Sequence, residues 1–268
     1  MDNNHITVTN QKELDEFLNG TTVKKSDYCV DIRSDEPLVV KSSEVNEFKI
    51  YDNSVVRFLE VPFETCINAY NNSVAIIESE YCYLVQGYDN STIIKRNENS
   101  NISYCDLFHN AKLKNESLNT DVPCEMSLDV YNISTQERLD ECLNLYGNCK
   151  NVNLYLISND LEPKSELVVN QKIYGHFLLL DESRVVFKKP TNFNNYSLDY
   201  YIFAYGKSTA IIETNNCAIR ASDQSRIVKR CKDDIVSLRF IDKDVKLIDE
   251  SHLLDTNKHK ETSKGRCK

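Results

Sequence analysis

The sequence has few glycines and no surplus of basic charge. Only six glycines occur in 268 residues, and neither a glycine-rich phosphate loop nor a Gly-x-Ser-x-Gly motif is present, which disfavours nucleotide binding at a glycine-cradled helix start. The formal charge is −9, and a general nucleic-acid binder needs excess Lys and Arg to neutralise phosphates. We therefore expect no cofactor and no sequence-specific nucleic-acid binding.

Long apolar runs and cysteine motifs are also missing. No run approaches the ~20 apolar residues that span a bilayer, and the N-terminus lacks the order of a secretory signal. The ten cysteines form no Cys-x-x-Cys pair, which favours buried free thiols over disulfides. The histidines share neither a repeat position nor a metal-ligand spacing: His5, His109, His176, His252 and His259. These absences predict a cytoplasmic protein without a membrane span or a metal site.

What the sequence does contain is an internal duplication. Gln11–Asn19 recurs as Gln136–Asn144, with Gln, Leu-Asp-Glu, Leu and Asn at matching positions. Each copy follows a candidate N-cap, Asn10 in the first half and Ser134 or Thr135 in the second, which predicts a short helix at the start of each half. A Leu-Val-Val tripeptide follows each helix in the same order.

A shorter period divides each half. A small residue before a β-branched run, here called the anchor, recurs about every 18 residues, which predicts a solenoid. The anchors are Ser54, Ser73, Ser91, Ala111, Ser183, Ser208, Ser225 and Lys243. Side chains alternate along a strand, so we expect the anchor and the apolar residue two positions later to face inward. These apolar residues are Val56, Ala75, Ile93, Leu113, Val185, Ala210, Ile227 and Val245.

Together these patterns predict a mainly β fold made of two tandem, duplicated parallel β-solenoid (β-helix) units. Each unit has coils of ~18 residues and is preceded by a short capping helix. We expect the first unit at residues 1–124 and the second at 125–254. Residues 255–268 are polar and basic, and we expect them to form a disordered tail.

Three outward columns of the coils have alternative interpretations. An asparagine precedes each anchor in the first half, which predicts a ladder of amide hydrogen bonds. Charges alternate five residues after the anchor and form either an ion ladder or a binding strip: Glu78, Arg96 and Glu116, then Lys188, Glu213 and Arg230. Aromatic residues three before the anchor either stack to stabilise the coils or recognise a sugar or protein: Tyr51, Tyr70, Tyr88, Phe108, Tyr205 and Phe240.

The interval between Ser183 and Ser208 is longer than the others. It contains Lys189–Asn195, whose Pro and Asn residues predict a loop extruded between coils. The candidate binding residues are the tyrosines of the aromatic column and four loop residues: Tyr51, Tyr70, Tyr88, Tyr205, Pro190, Asn192, Phe193 and Asn194. No catalytic residue is predicted, because Cys82 and Cys217 share one coil position, which favours packing over nucleophilic chemistry.

A resemblance to a known group of proteins can be stated from the repeats. Ala69–Val74, Gly87–Ile93 and Ala204–Thr209 resemble the repeats of β-solenoid proteins in phages and prophages of low-GC bacteria. The resemblance covers about residues 35–120 and 165–248. It implies a right-handed parallel solenoid and a mobile-element setting, without one activity and without catalytic residues.

Three classes of function remain. The first is a non-catalytic, protein-binding solenoid, a phage-encoded inhibitor that occludes a host protein or ribonucleoprotein such as a defence complex. The second is a virion component that binds a receptor or glycan through its tyrosines. The third is a polysaccharide-cleaving enzyme, which requires a pair of carboxylates on one sheet. Because no catalytic motif is present, we expect the first class and no enzymatic activity.

Overall fold

A computed structural model describes residues 4–97, 101–116, 127–147, 149–157, 166–191, 198–214, 216–231 and 236–252. The structure is 48% strand and 11% helix, and its parallel sheets form a β-solenoid of about ten turns. The expected fold class is therefore confirmed. The chain forms two compact units, Met1–Tyr131 and Asn132–Lys268. The predicted basic tail lies outside the described residues.

The first unit contains a long and a short parallel sheet. The long sheet consists, in spatial order, of β1 (Asn4–Val8), β2 (Tyr28–Ile32), β4 (Glu47–Ile50), β6 (Cys66–Ala69), β8 (Tyr81–Gly87), β10 (Asn101–Leu107) and β12 (Ser127–Ile133). The short sheet consists of β3 (Leu38–Val40), β5 (Val55–Phe58), β7 (Val74–Ile77), β9 (Thr92–Lys95) and β11 (Lys112–Asn115). From β2 to β11 the chain alternates between the sheets, so each coil adds one strand to each.

The second unit repeats this arrangement. Its long sheet contains β13 (Lys150–Leu156), β15 (Tyr174–Leu179), β17 (Tyr200–Ala204), β19 (Cys217–Ala221) and β21 (Val236–Ile241). Its short sheet contains β14 (Leu167–Val169), β16 (Arg184–Phe187), β18 (Thr209–Ile212), β20 (Arg226–Lys229) and β22 (Lys246–Asp249). The two units therefore share both the strand order and the alternation between sheets.

Both predicted helices are present. Helix α1 spans Gln11–Asn19 and is capped by Asn10, whose side chain accepts a hydrogen bond from the Glu13 amide. Helix α2 spans Gln136–Tyr146 and is capped by Thr135, which decides between the two predicted caps. A strand precedes each helix along the chain, β1 before α1 and β12 before α2. A 3₁₀ turn at Lys25–Asp27 follows α1.

The duplicated glutamine at the start of each helix covers a sheet edge. Gln11 accepts a hydrogen bond from the Val39 amide at 2.7 Å and donates one to the Val39 carbonyl at 2.9 Å. Gln136 makes the same pair of bonds with Val168, at 2.7 and 3.0 Å. Each glutamine thus pairs backbone groups of the first strand of a short sheet, which would otherwise be an open edge.

The inward columns form the core. Seven of the predicted anchors are at most 2% exposed: Ser54, Ser73, Ser91, Ala111, Ser183, Ser208 and Ser225. The apolar residues two positions after these anchors are also buried, from Val56 in the first unit to Ile227 in the second. Each buried aliphatic side chain contributes about 1.5–3 kcal/mol of transfer free energy. The inward assignment is confirmed for these seven coils.

The last predicted anchor was wrong. Lys243 is exposed and lies in a turn, and the pairing of Arg226 with Lys246 aligns Val245 with the anchor Ser225. Leu247, not Val245, therefore occupies the inward column of the last coil, and it is 54% exposed. The prediction failed because it used the 18-residue spacing and did not require a turn immediately before the anchor.

The turns depend on the residue two before the anchor. In seven coils this residue has a positive φ, between 54° and 63°. The residues are Asp52, Asn71, Asp89, His109, Asp181, Gly206 and Asp223. Asn, Asp and Gly tolerate the left-handed region best. The residue type that marks each turn in the sequence is therefore the one two positions before the anchor.

Candidate functional site

The aromatic column of the first unit forms a continuous stack. Successive ring centroids are 4.6–5.0 Å apart and the ring planes differ by 2–11°. Its members are Tyr51, Tyr70, Tyr88, Phe108 and Tyr131. The Arg33 guanidinium lies 4.2 Å from the Tyr51 ring centroid at one end. This stack, here called the aromatic ladder, includes three of the predicted binding residues.

Stacking limits what the ladder can offer to a partner. Neighbouring rings cover both faces of Tyr70 and of Tyr88, and both side chains are half-buried. Burial raises the pKa of each of these phenols above its ordinary value. The Tyr88 hydroxyl also donates to Gln86 Oε1 at 3.1 Å. Because mainly ring edges remain accessible, the geometry favours the stabilising interpretation of these tyrosines, and their binding role stays a prediction.

The other predicted binding residues lie in the second unit. Tyr205 is 37% exposed and directly follows β17, where its ring is nearly parallel to that of Phe203, with 6.4 Å between the ring centroids. Pro190 is buried, and the neighbouring Thr191 amide donates to the Asn170 carbonyl at 2.9 Å. Predicted loop residues Asn192, Phe193 and Asn194 lie outside the described residues, so their role stays a prediction. Phe240 is not in the aromatic column, because the corrected anchor Val245 places Asp242 there.

The predicted amide and ion ladders are confirmed in the first unit. Asparagine amides of successive coils are joined at 3.2–3.5 Å, through Asn53, Asn72, Asn90 and Asn110. Glu78 accepts from Arg57 at 2.9 Å and from Arg96 at 3.3 Å, and Arg96 continues to Glu116 at 3.0 Å. These arginines hold the pKa of Glu78 below its ordinary value.

The second unit has a shorter ion ladder. Arg230 joins Glu213 at 3.4 Å to Glu250 at 2.9 Å. Among the described residues, no carboxylate lies within ion-pair distance of Lys188, the first member of the predicted column. The ion-ladder interpretation therefore accounts for the first-unit column and for Glu213 and Arg230 of the second without a bound partner.

A separate group of aromatic side chains is exposed on the first unit. Phe63, Tyr81, Tyr83 and Tyr104, here called the aromatic patch, are each between 41% and 57% exposed. The ring centroid of Phe63 lies 6.4 Å from that of Tyr81 and 6.2 Å from that of Tyr83. The centroids of Tyr83 and Tyr104 are 5.4 Å apart, in an edge-to-face arrangement. Adjoining exposed apolar side chains are typical of interaction sites, whereas single ones are not.

Buried polar groups hold the patch in place. Cys82, between Tyr81 and Tyr83, is fully buried, and its thiol lies 3.7 Å from the Thr65 carbonyl. The buried Ser79 hydroxyl accepts from the Val61 amide at 3.2 Å and donates to the Tyr81 carbonyl at 3.0 Å. Burial raises the pKa of Cys82 to about 12, which keeps the thiol neutral. Three members of the patch, Tyr81, Tyr83 and Tyr104, thus lie on strands that need not be ordered on binding, and Phe63 lies in the turn before β6.

Acidic residues are close in sequence to two members of the patch. Glu60, Glu64 and Glu80 are exposed and flank Phe63 and Tyr81 in sequence. The Glu80 carboxylate accepts a hydrogen bond from Tyr81 and raises the pKa of that phenol. An aromatic centre with a charged, solvated rim is the usual anatomy of a protein interface.

Two clusters have the residue types of reactive sites. The donor atoms of His5, Cys29 and Asp31 lie within 4.8 Å of one another. His5 Nδ1 is 3.0 Å from Asp31, the Cys29 thiol is 3.7 Å from the same carboxylate, and burial raises the pKa of Cys29 to about 12. These contacts describe a hydrogen-bonded cluster, and the expectation of no metal stays a prediction.

The second cluster is a carboxylate pair. Asp106 on β10 and Asp129 on β12 occupy directly paired positions, and adjacent parallel strands are about 4.8 Å apart. Asp106 accepts from Gln86 at 2.9 Å and Asp129 from the Tyr131 hydroxyl at 3.3 Å. Burial raises the pKa of Asp106 above its ordinary value, and the Asp129 charge adds to the increase. This pairing was not visible in the sequence, because the two residues are 23 positions apart.

The fold and these surfaces define the chain as a parallel β-solenoid with an aromatic patch. Comparisons with models of protein families, with curated proteins and with solved structures found no significant match to the chain. Neither helix in the described part of the chain has the length and apolar character that crossing a membrane requires.

Proposed function

We propose that this protein is a non-catalytic, protein-binding β-solenoid that acts by covering a working surface of its partner. The observation that carries the proposal is the aromatic patch of Phe63, Tyr81, Tyr83 and Tyr104. Tyrosines and other aromatic residues supply a large share of binding free energy at protein interfaces, at a low cost in side-chain entropy. The acidic residues beside the patch favour a partner with basic residues around an apolar pocket.

The biological setting of the proposal comes from the repeats. Their resemblance to phage and prophage solenoids supports a phage-encoded inhibitor of a host protein or ribonucleoprotein, such as a defence complex, in the host cytoplasm. A solenoid suits steric occlusion because its coils form a preorganised surface, so little conformational entropy is lost on binding.

Affinity purification from host cytosol tests the proposal with three baits. The wild type is compared with the double variant Phe63→Ala/Tyr83→Ala and with the control Tyr174→Ala. Tyr174 is a tyrosine of the second unit and is 60% exposed. We expect the wild type and Tyr174→Ala to retain the same stoichiometric partner, and the double variant to lose at least about tenfold in affinity. Unchanged melting of the double variant would show that folding is intact.

Two results would contradict the proposal. If the patch variant retains the partner as well as the wild type does, the patch is not the binding site. If the wild-type bait retains no stoichiometric partner, the result favours the alternative of a virion protein that uses its tyrosines on a receptor or glycan.

A second candidate function, polysaccharide cleavage, is favoured only by the Asp106–Asp129 pair. Paired carboxylates at about 5 Å are the arrangement of retaining glycosidases, and an acid with a raised pKa suits proton donation. Release of reducing sugar ends by the wild type, and its loss in Asp106→Asn, would support this candidate. We expect no release, because both carboxylates are engaged by Gln86 and Tyr131.

A further inference from the structure

The second unit contains a polar groove of about 480 Å³ that the proposed function does not use. Every residue that lines it is polar or charged, and four of them are cationic: Arg184, Lys207, Arg226 and Lys246. The volume lies within the range of small-ligand sites. A cationic groove is unexpected in a chain whose formal charge is −9.

Strand register explains how these cations come together. Arg184 pairs with Thr209, Thr209 with Arg226, and Arg226 with Lys246. These residues begin four successive strands of the short sheet, so they form one column with a rise of about 4.8 Å per coil and a length of roughly 14 Å. Arg226 and Lys246 are thus direct neighbours of like charge, and such neighbours destabilise a sheet when nothing lies between them.

The cations differ in how they are neutralised. Arg184 bonds Glu166 at 2.6 Å, and Lys207 lies 3.6 Å from Glu182. Among the described residues, no carboxylate lies within ion-pair distance of Arg226 or Lys246, and both side chains are exposed. These two cations therefore keep their capacity to bind an external anion.

The internal duplication shows that the coil does not require this charge. The equivalent column of the first unit, at the first residues of β5, β7, β9 and β11, contains Val55, Val74, Thr92 and Lys112. A column with a single cation supports the same strand pairing as a column with three. The extra charge of the second unit is therefore a property of its surface rather than a condition for folding.

We infer that this groove binds a ligand with two or more phosphate or sulfate groups. One oxyanion bridges Arg226 and Lys246, whose charge-assisted hydrogen bonds are stronger than neutral ones. A second oxyanion lies toward Lys207 and Arg184, where it competes with Glu182 for Lys207. The ligand framework between these groups is polar, because every residue that lines the groove is polar or charged.

Isothermal titration calorimetry on the full chain tests the inference with defined probes, at low salt because exposed charges are screened. Inorganic tripolyphosphate and sucrose octasulfate represent the two sources of oxyanions, and orthophosphate represents a single anion. We expect the preferred multivalent probe to bind at least about tenfold more tightly than orthophosphate. The tighter of the two multivalent probes identifies the phosphate or the sulfate source.

Three variants separate the groove from general electrostatics. We expect Arg226→Gln/Lys246→Gln to weaken binding at least about tenfold. Asp244→Asn, which removes a carboxylate from the lining, should strengthen binding by about twofold or more. The control Lys112→Gln removes the cation at the equivalent position of the first unit and should change the affinity by less than about twofold.

Melting temperatures show whether a loss of binding reflects unfolding. The double variant should melt no lower than the wild type, because it removes repulsion between neighbouring cations. The inference is overturned if the wild type binds neither multivalent probe at about 1 mM, or if Lys112→Gln weakens binding as much as the double variant does. Since no partner protein is involved, this outcome is independent of the aromatic patch and of the proposed function.

Discussion

The two units share one coil geometry and differ in the side chains around their turns. Three residues before the anchor, the first unit has Tyr51, Tyr70, Tyr88 and Phe108, and the second has Leu180, Tyr205, Ser222 and Asp242. Directly before the anchor, the first has four asparagines, and the second has Glu182, Lys207, Gln224 and Asp244. A stack of rings and amides in one unit thus corresponds to a charged groove in the other.

This difference distinguishes the positions that the coil geometry requires from the positions at which the side chain can vary. Both units keep a buried anchor, an inward apolar residue two positions later and a left-handed turn residue two positions earlier. One outward column changes from aromatic to mixed side chains and another from mainly uncharged to mainly cationic, without a change in strand pairing. Differences in function between the units are therefore to be sought in the outward columns.

The largest effect is expected from breaking what the units share. Ile93→Asp places a charge at a fully buried position of the first unit, and an unpaired buried charge costs several kcal/mol. We expect a loss of about 4 kcal/mol or more in the free energy of unfolding, measured by urea denaturation. The control is Ile94→Asp, whose half-buried side chain points to the other face. Native-like stability of Ile93→Asp would reject the inward assignment.

The sequence was sufficient to predict features that depend on a period alone. The helices at Gln11 and Gln136 follow from a duplicated segment with an N-cap before it. The inward column through Ile93 and the asparagine ladder follow from one class of side chain recurring at a fixed position of the coil. Repetition supplies this information because every coil must solve the same packing problem. The error at Lys243 arose where a coil departed from the average spacing.

Surfaces that combine different coil positions could not be predicted. Phe63 lies in the connection before β6, whereas Tyr83 and Tyr104 lie on strands of later coils, so no single column contains the aromatic patch. The alternation of Tyr81, Cys82 and Tyr83 was an available signal, since an inward Cys82 places its two neighbours outward. The pairing of Asp106 with Asp129 required the exact register of coils of unequal length.

The next largest effect concerns the aromatic ladder. Tyr88→Ala removes a ring that stacks on Tyr70 and on Phe108, each at 4.7 Å, and should cost about 2–3 kcal/mol of unfolding free energy. The equivalent Tyr205→Ala in the second unit should cost less than about 1 kcal/mol, because the ring is 37% exposed and exposed substitutions have small effects. Urea denaturation of both variants makes the comparison.

A conservative variant separates stacking from hydrogen bonding in the ladder. Tyr88→Phe keeps both stacks and removes only the hydroxyl that bonds Gln86, so we expect a loss below about 1 kcal/mol. Equal losses for Tyr88→Ala and Tyr205→Ala would show that the ladder contributes nothing that is special to the first unit.

A smaller, pH-dependent effect is expected in the ion ladder. Arg57 and Arg96 lower the pKa of Glu78 from 4.5, so its contribution to stability is complete above its ordinary pKa and is lost as the pH falls through the folded value. Glu78→Gln should cost about 1 kcal/mol at pH 7, and the difference from the wild type should shrink below about pH 4.5 in melting experiments.

The second unit again supplies the comparison for the ion ladder. Glu213 bonds one arginine at 3.4 Å, so Glu213→Gln should cost about half as much or less. A cost of Glu78→Gln that does not change between pH 7 and pH 3 would contradict the electrostatic explanation of the ladder.

The smallest effect is expected at Ser208, in the anchor column, where the hydroxyls of Ser91, Ser183, Ser208 and Ser225 have no hydrogen-bond partner among the described residues. The buried Ser208 hydroxyl has no partner among the described residues, whereas Ser54 Oγ accepts from the Ser34 amide at 2.8 Å. Alanine already occupies this position at residue 111, where it is fully buried, so the coil tolerates the change.

Ser208→Ala should therefore stabilise the protein by about 0.5–1 kcal/mol, because it removes a buried polar group that gains no bond on folding. Ser54→Ala should destabilise it by about 1–2 kcal/mol, because it leaves the buried Ser34 amide without its acceptor. Urea denaturation of the two variants should give opposite signs. A loss of stability in Ser208→Ala would mean that its hydroxyl is hydrogen-bonded in the folded protein, and the Ser54 and Ser208 anchors would then be alike in bonding.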